Sequence, residues 1–387
     1  MPSCAAVYEE LRKQGLRFFT GVPDSLLKDF CAYITDQVPA ADHVIAANEG
    51  NAVALAVGHF LGTGEPALVY MQNSGIGNGV NPLLSLADPE VYSIPMLLVI
   101  GWRGEPGVKD EPQHVKQGRI MTDLLDAMEI PWRVLDASTK DPAALISAAC
   151  ESMRERMGPA ALLVRAGAFE RYTLRANRPI DFPMTREDAV KAIVDALDPT
   201  DVVVSTTGKT SRELFEHRKA TGVPGNDFLT VGGMGHTASI AMGLARSQPA
   251  RRVVCLDGDG SAIMHMGSLA VIGNSGLTNL LHVVINNGSH ESVGGQPTVG
   301  HEIDFPTIAR ACGYRHASSV STLEALRESV AMLRQVEGPA LLEVKVRIGS
   351  RSNLGRPTST PLENRDALMK RLGLRIPGSS SRSADTQ

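Results

Sequence analysis

The chain has 387 residues, of which 43% are hydrophobic and 21% charged, with a formal net charge of −4. That is enough apolar material for two cores of ordinary domain size, and the near balance of charge without any Lys/Arg run argues against a nucleic-acid or membrane partner. The five cysteines (Cys4, Cys31, Cys150, Cys255, Cys312) are scattered without a CxxC pair, and no 18-residue apolar run is present, so the reading is a soluble cytoplasmic protein with a small-molecule partner.

In chain order, the apolar runs VIAA, PALVYM, PMLLVIGW and ALLVRAG alternate with helical patterns up to about residue 168. The polar, Pro-containing stretch AGAFERYTLRANRPIDFPMTRED follows and reads as a linker ending in a helix N-cap at Thr185, with Asp188 three residues on. The runs DVVVST, DFLT, RRVVCLDG, LLHVVINN and ALLEVKV then continue the alternation. Strands that are apolar throughout, rather than at every second residue, are expected where helices cover both faces of a parallel sheet. The segment GPAALLV from Gly158 recurs as GPALLEV from Gly338, and Trp132-Arg133 recurs as Tyr314-Arg315 at nearly the same offset, so the chain reads as two copies of one unit. The expected fold is α/β: two similar doubly wound parallel-sheet domains, 1–180 and 181–350, then a polar tail 351–387. That tail is expected to be mobile apart from a short helix near Glu363 to Leu372.

Several positions carry chemistry. Glu49 stands at the end of a strand and the start of a helix in VIAANEGNAVALAVGHFLGTG; as such it serves either a reaction or simply the helix dipole. The Gly-rich stretch NSGIGNGVN offers backbone N–H groups to anionic oxygens, or is merely a turn. His114, in DEPQHVKQG, is a candidate acid, since an unperturbed histidine titrates near neutrality, or is merely a solvated loop histidine; Gln117 and His290 are weaker candidates for a substrate pocket. Lys209 and Arg212, in TTGKTSRELFE, could place positive charge near an anionic group or face solvent. The strongest signal lies in the second half, where RRVVCLDG runs into Gly258-Asp259-Gly260-Ser261. Further on, the next apolar run ends in Asn286-Asn287. A turn of small residues after a strand admits a diphosphate, and Asp and Asn side chains supply the hard oxygen ligands that Mg²⁺ takes.

With GDG followed at this spacing by NN, the sequence resembles the thiamine diphosphate enzymes. By that resemblance Asp259, Asn287 and the backbone carbonyl of Ser289 would ligate Mg²⁺, and Ser261 would touch the diphosphate beside the loop of Thr207 and Gly208. In the segment Val231 to His236, Gly232 would present a carbonyl to the cofactor's 4′-amino group and Met234 would bend the cofactor. Glu49 would serve the pyrimidine N1′. The absence of a middle domain, together with MQNSGIGNGVNPLLSLADPEVYSIPMLLVIGWRG, DEPQHVKQG, GGMGHTASIAMGLA and GSHESVGGQPTV, resembles the phosphonopyruvate decarboxylases and the related sulfopyruvate decarboxylases. The resemblance implies decarboxylation of a small anionic 2-oxo acid, 3-phosphonopyruvate to phosphonoacetaldehyde, through a cofactor enamine that His114 would protonate. It also implies a homo-oligomer with active sites between subunits. A sulfopyruvate substrate, carboligation, or a binding protein that has lost its chemistry are the alternatives.

Overall fold

The computed structural model describes residues 1–176 and 180–376. It contains two compact units, one of Met1–Arg178 with Ser289–Thr298 and the other of Pro179–Gly288 with Val299–Gln387. In the first, β1 (Phe19–Gly21), β2 (His43–Ile45), β3 (Ala67–Gln72), β4 (Met96–Gly101), β5 (Trp132–Leu135) and β6 (Pro159–Val164) form a parallel sheet of order β2-β1-β3-β4-β6-β5. In the second, β7 (Val202–Ser205), β8 (Asn226–Leu229), β9 (Val253–Gly258), β10 (Leu280–Asn286), β11 (His316–Val320) and β12 (Ala340–Lys345) form a parallel sheet of order β11-β12-β10-β9-β7-β8. Read from the other edge, the second order is the first repeated. The expected internal duplication is therefore present as topology, with GPAALLV and GPALLEV opening the equivalent strands β6 and β12.

The unbroken apolar strands follow from this layering. Along β4, Leu97 and Val99 pack on one side with the helices Cys4–Lys13, Lys28–Gln37 and Pro142–Arg156. Met96, Leu98 and Ile100 pack on the other with Glu49–Thr63 and Met121–Ala127. The second unit repeats the pattern, with Val254 and Leu256 of β9 in one apolar cluster and Val253 and Cys255 in the other. Each such side chain contributes roughly 1.5–3 kcal/mol by leaving water, so a polar replacement in β4 or β9 would cost a large part of a domain's stability.

Three strands escaped the sequence reading. β1, β5 and β11 are short, and β5 and β11 are only partly buried, so neither forms a continuous apolar run. The expected N-cap at Thr185 is a full capping box with Asp188. Two expectations are corrected. The stretch after β6 is not all linker: Ala168 and Phe169 are buried, and Phe169 stacks on Phe30 with ring centroids 5.3 Å apart, so this part completes the first core. The segment from 351 to 376 is not loose. Arg351 pairs with Glu187 and Glu216, Leu354 and Leu368 are buried, and the helix Pro361–Arg371 lies against edge strand β8. There Asn364 accepts from Leu229 N and donates to Asp227 O, closing part of an edge that would otherwise present open backbone. The rest of the expected tail, 377–387, lies outside the described residues.

Candidate active site

In a doubly wound sheet the strand order reverses at a point where the loops at the carboxyl ends diverge and leave a crevice. In the second unit that point lies between β7 and β9. From β7 come Thr206, Thr207 and Gly208; from β9 come Gly258, Asp259, Gly260 and Ser261. Ser261 ties these loops together, because its hydroxyl accepts from Thr206 Oγ1 at 3.2 Å and from Gly235 N at 3.1 Å. The Gly232–His236 turn, with Met234 half-buried, is thereby held beside the β9 loop. Asp259 is 3% exposed, and its wall is a glycine: a Cβ on Gly300 would come within 2.6 Å of both Asp259 Oδ2 and Asn286 Oδ1. Gly208 has φ +91° and ψ −135°, a conformation that only glycine adopts readily.

The two asparagines divide their work. Asn286 is fully buried and structural: its amide donates to Gly300 O and to Glu343 Oε1, both at 2.7 Å, and its Oδ1 accepts from Gly288 N at 3.1 Å. Asn287, 8% exposed, follows at the turn, and Ser289, 7% exposed, belongs by packing to the segment Ser289–Thr298 of the first unit. Behind the β9 loop, buried His282 sits between Asp257, 3.4 Å away, and the Tyr314 hydroxyl, 3.3 Å away.

In the first unit the reversal lies between β1 and β3. Glu49 is the first residue of helix Glu49–Thr63, whose N-cap Asn48 accepts from Asn51 N. Although acidic at a helix start, it is not a solvated dipole partner, being 5% exposed. Oε2 accepts from Asn78 Nδ2 at 2.7 Å, and Gly75 opposite has no room for a side chain, since a Cβ there would lie 2.1 Å from Glu49 Oε1. Both partners come from NSGIGNGVN, so this stretch walls the carboxyl. Burial drives the Glu49 carboxyl above its ordinary range, against the Asn78 hydrogen bond, which favours the anion.

Beside it lies a polar cluster whose members the sequence did not single out, His114 excepted. Asp24, fully buried, accepts from Gln72 Nε2 at 2.5 Å and Leu26 N at 3.1 Å, and burial pushes its carboxyl up. Arg103, just past β4, forks onto Asp110 and donates to Ser25 Oγ at 2.7 Å. His114, 9% exposed, meets Asp110 Oδ1 through Nδ1 at 3.0 Å. No sequence periodicity announces this cluster, because it is assembled from loops after three different strands.

The remaining candidates are divided between the two units. Gln117 is exposed on the helix that buries His114. Lys209 is half-buried at the start of helix Lys209–Thr221, directly after Gly208. Arg212 donates to the carbonyls of Leu354 and Gly355, so its charge anchors the C-terminal segment. His290 belongs to Ser289–Thr298, and burial holds its ring down to about 4.

Residues 3–130 match the N-terminal TPP binding domain of thiamine pyrophosphate enzymes, and residues 206–344 match the C-terminal TPP binding domain. A phosphonopyruvate decarboxylase of Streptomyces viridochromogenes is 36% identical over 90% of this chain and 89% of its own. The chain belongs to the phosphonopyruvate decarboxylase family of thiamine pyrophosphate enzymes. Another phosphonopyruvate decarboxylase, from Streptomyces hygroscopicus, is 35% identical over 94% of this chain and 92% of its own. A sulfopyruvate decarboxylase of Methanosarcina acetivorans is 25% identical over 91% and 93%. Family membership makes the chain a thiamine diphosphate-dependent decarboxylase, and the second unit's crevice fits that cofactor. Its donors are hard oxygens on a buried turn, Gly300 keeps Asp259 clear of a side chain, and Gly208 gives the β7 loop a backbone conformation that other residues resist. Among the described residues, no helix is long and apolar enough to cross a membrane.

Proposed function

We propose that the chain decarboxylates 3-phosphonopyruvate to phosphonoacetaldehyde and CO₂, with thiamine diphosphate and Mg²⁺, as a step of phosphonate biosynthesis. The observation that carries this reading is the match along nine-tenths of both chains to two phosphonopyruvate decarboxylases, against 25% identity to the sulfopyruvate decarboxylase. Residues 1–180 would form the pyrimidine-binding domain and 181–350 the diphosphate-binding domain. Asp259, Asn287 and the carbonyl of Ser289 would hold Mg²⁺. Ser261, with Gly258, Gly260, Thr207 and Gly208, would receive the diphosphate; Thr206, which seats Ser261, joins them. Gly232 would offer its carbonyl to the 4′-amino group, and Met234 its apolar side chain to the thiazolium.

Bound thiamine diphosphate supplies a nucleophilic carbon and accepts the electron pair left when CO₂ departs. The protein's part is proton management and exclusion of water. Glu49, its carboxyl raised by burial, can share a proton with the pyrimidine N1′, a contribution of about 10² to 10⁴ in rate. His114 would return a proton to the carbon that CO₂ leaves. His290, Gln117 and Lys209 stand as candidates for the substrate pocket, and Arg212, committed to the C-terminal segment, is the weakest of them. The active enzyme would be a cytoplasmic homo-oligomer with sites shared between subunits. The exposed face of Glu49–Thr63, with Ala54, Leu55, Gly58 and Leu61, supports this as an apolar surface suited to a second copy.

Purified protein with thiamine diphosphate and Mg²⁺ should release CO₂ and aldehyde faster from phosphonopyruvate than from sulfopyruvate or pyruvate, and Glu49→Gln should slow this by about 10²- to 10⁴-fold. Preference for sulfopyruvate would move the enzyme to the other branch, and no turnover with any of the three would reject the reading.

A further inference from the structure

The Asp110 carboxylate accepts five hydrogen bonds. Oδ1 takes Arg103 Nη2, His114 Nδ1 at 3.0 Å and Glu111 N at 2.7 Å; Oδ2 takes Arg103 Nε at 2.7 Å and Gly104 N at 2.8 Å. A carboxyl so surrounded has no direction left for a proton of its own. Burial acts to raise Asp110, but the bonds from Arg103, His114 and Gly104 outweigh it and hold the group well below the usual carboxylate range. An ionised carboxylate is acceptor only, so His114 Nδ1 must carry the hydrogen. In the neutral ring the lone pair then lies on Nε2, which has no protein hydrogen-bond partner among the described residues.

The arrangement is fixed from both sides. Arg103 is held by Ser25 Oγ, and its backbone exchanges hydrogen bonds with the Asn73 side chain at 3.1 and 2.8 Å. Gly104 and Gly118 let the turn press onto helix Pro112–Arg119. A Cβ on Gly104 would lie 2.1 Å from His114 O, and one on Gly118 would lie 1.9 Å from Gly104 O. We propose that Asp110 is a positioning residue that fixes the tautomer and orientation of His114 so that Nε2 is its proton-exchanging atom, and that Arg103 keeps Asp110 ionised and aligned. The functional part rests on the decarboxylase reading above. In the step served, the Nε2–H bond breaks and a C–H bond forms with the electron pair that CO₂ leaves behind. The imidazolium becomes neutral and regains its proton from water.

Two measurements test this. In protein labelled with ¹⁵N at histidine, long-range ¹⁵N–¹H spectra of the resting enzyme should show neutral His114 protonated at Nδ1, and Asp110→Asn should change that tautomer population. A wild-type His114 whose neutral ring is protonated at Nε2 rather than Nδ1 overturns the proposal, whether or not any variant folds. In turnover, Asp110→Asn should lower kcat about 10- to 100-fold, as loss of an orienting partner does, while KM changes little. Asp110→Glu should recover part of the loss. An unchanged kcat in Asp110→Asn, with active wild type, also overturns the proposal. Wild type that decarboxylates none of the 2-oxo acids would instead reject the decarboxylase reading, and the spectrum of the resting protein would still decide the assignment of His114.

Discussion

Replacing Gly75 with Ala should disable the enzyme without unfolding it. The new Cβ would stand 2.1 Å from Glu49 Oε1, 2.4 Å from its Cδ and 2.7 Å from its Cγ, where ordinary contact begins at 3.4 Å. The backbone of Asn73–Gly75 is not in the left-handed region, so the cheapest relief is for the Glu49 carboxyl to move away until ordinary contact is restored. That motion also strains its 2.7 Å bond from Asn78. A displacement of about 1 Å in a catalytic group costs on the order of 10² in rate, so kcat should fall about 100-fold. The melting temperature should change little, because Gly→Ala at a compatible backbone position gains about 0.4–1 kcal/mol against the strain introduced. CO₂ release at saturating cofactor, with cofactor affinity measured separately, reads the effect. The double variant Gly75→Ala/Glu49→Gln should be no slower than Glu49→Gln alone, since both act on one carboxyl. Wild-type kcat in Gly75→Ala, beside a slowed Glu49→Gln, would refute the claim that the position of this carboxyl matters.

The raised Glu49 carboxyl also has a signature in stability. Above its ordinary value of 4.5 the folded state retains a proton that the unfolded chain has released, so stability falls as pH rises towards the folded value. Glu49→Gln, without that ionisation, should be more stable than wild type above this window, and the advantage should vanish in acid; thermal melts of cofactor-free protein across pH would detect it. Chelation should abolish turnover and added Mg²⁺ restore it, whereas Asp259→Ala should lose cofactor affinity at any Mg²⁺ concentration used for wild type, as read by titration calorimetry. Asn364→Ala leaves Leu229 N and Asp227 O without their side-chain partner and should lower stability by about 1–3 kcal/mol in urea unfolding, with an unchanged m value.

The parts legible in the sequence were those encoded locally. β3, β4, β6, β9, β10 and β12 are central strands buried on both faces, and their unbroken Val, Leu and Ile runs give them away. The turn at Gly258–Ser261 and Asn286-Asn287 are contiguous motifs, so they could carry the resemblance to the thiamine diphosphate enzymes. Elsewhere the signal was spread over the chain. Ser25, Asn73, Arg103 and Asp110 belong to one hydrogen-bond network only because three strands end side by side, and nothing in the long stretch of sequence from Ser25 to Asp110 marks that. Thr206 rather than its neighbour Thr207 meets Ser261, a distinction set by backbone orientation. The docking of the segment after residue 350 was hidden for another reason: Arg351, Asn364 and Arg212 hold it with polar contacts that low hydropathy does not reveal.

The repeated strand order bears on how the protein can change. The loop after β1 carries Asp24 and its counterpart after β7 carries Thr206 to Gly208; the loop after β3 carries Asn73 to Gly75 and its counterpart after β9 carries Asp259 to Ser261. Two copies of one scaffold thus differ through a small set of positions at strand ends, while the layers beneath keep their pattern; on the proposed reading one side would serve proton chemistry and the other a diphosphate. Libraries confined to the loops of one copy should alter which acid is accepted without disturbing the other copy's cradle, leaving substrate scope and cofactor dependence as separately evolvable traits.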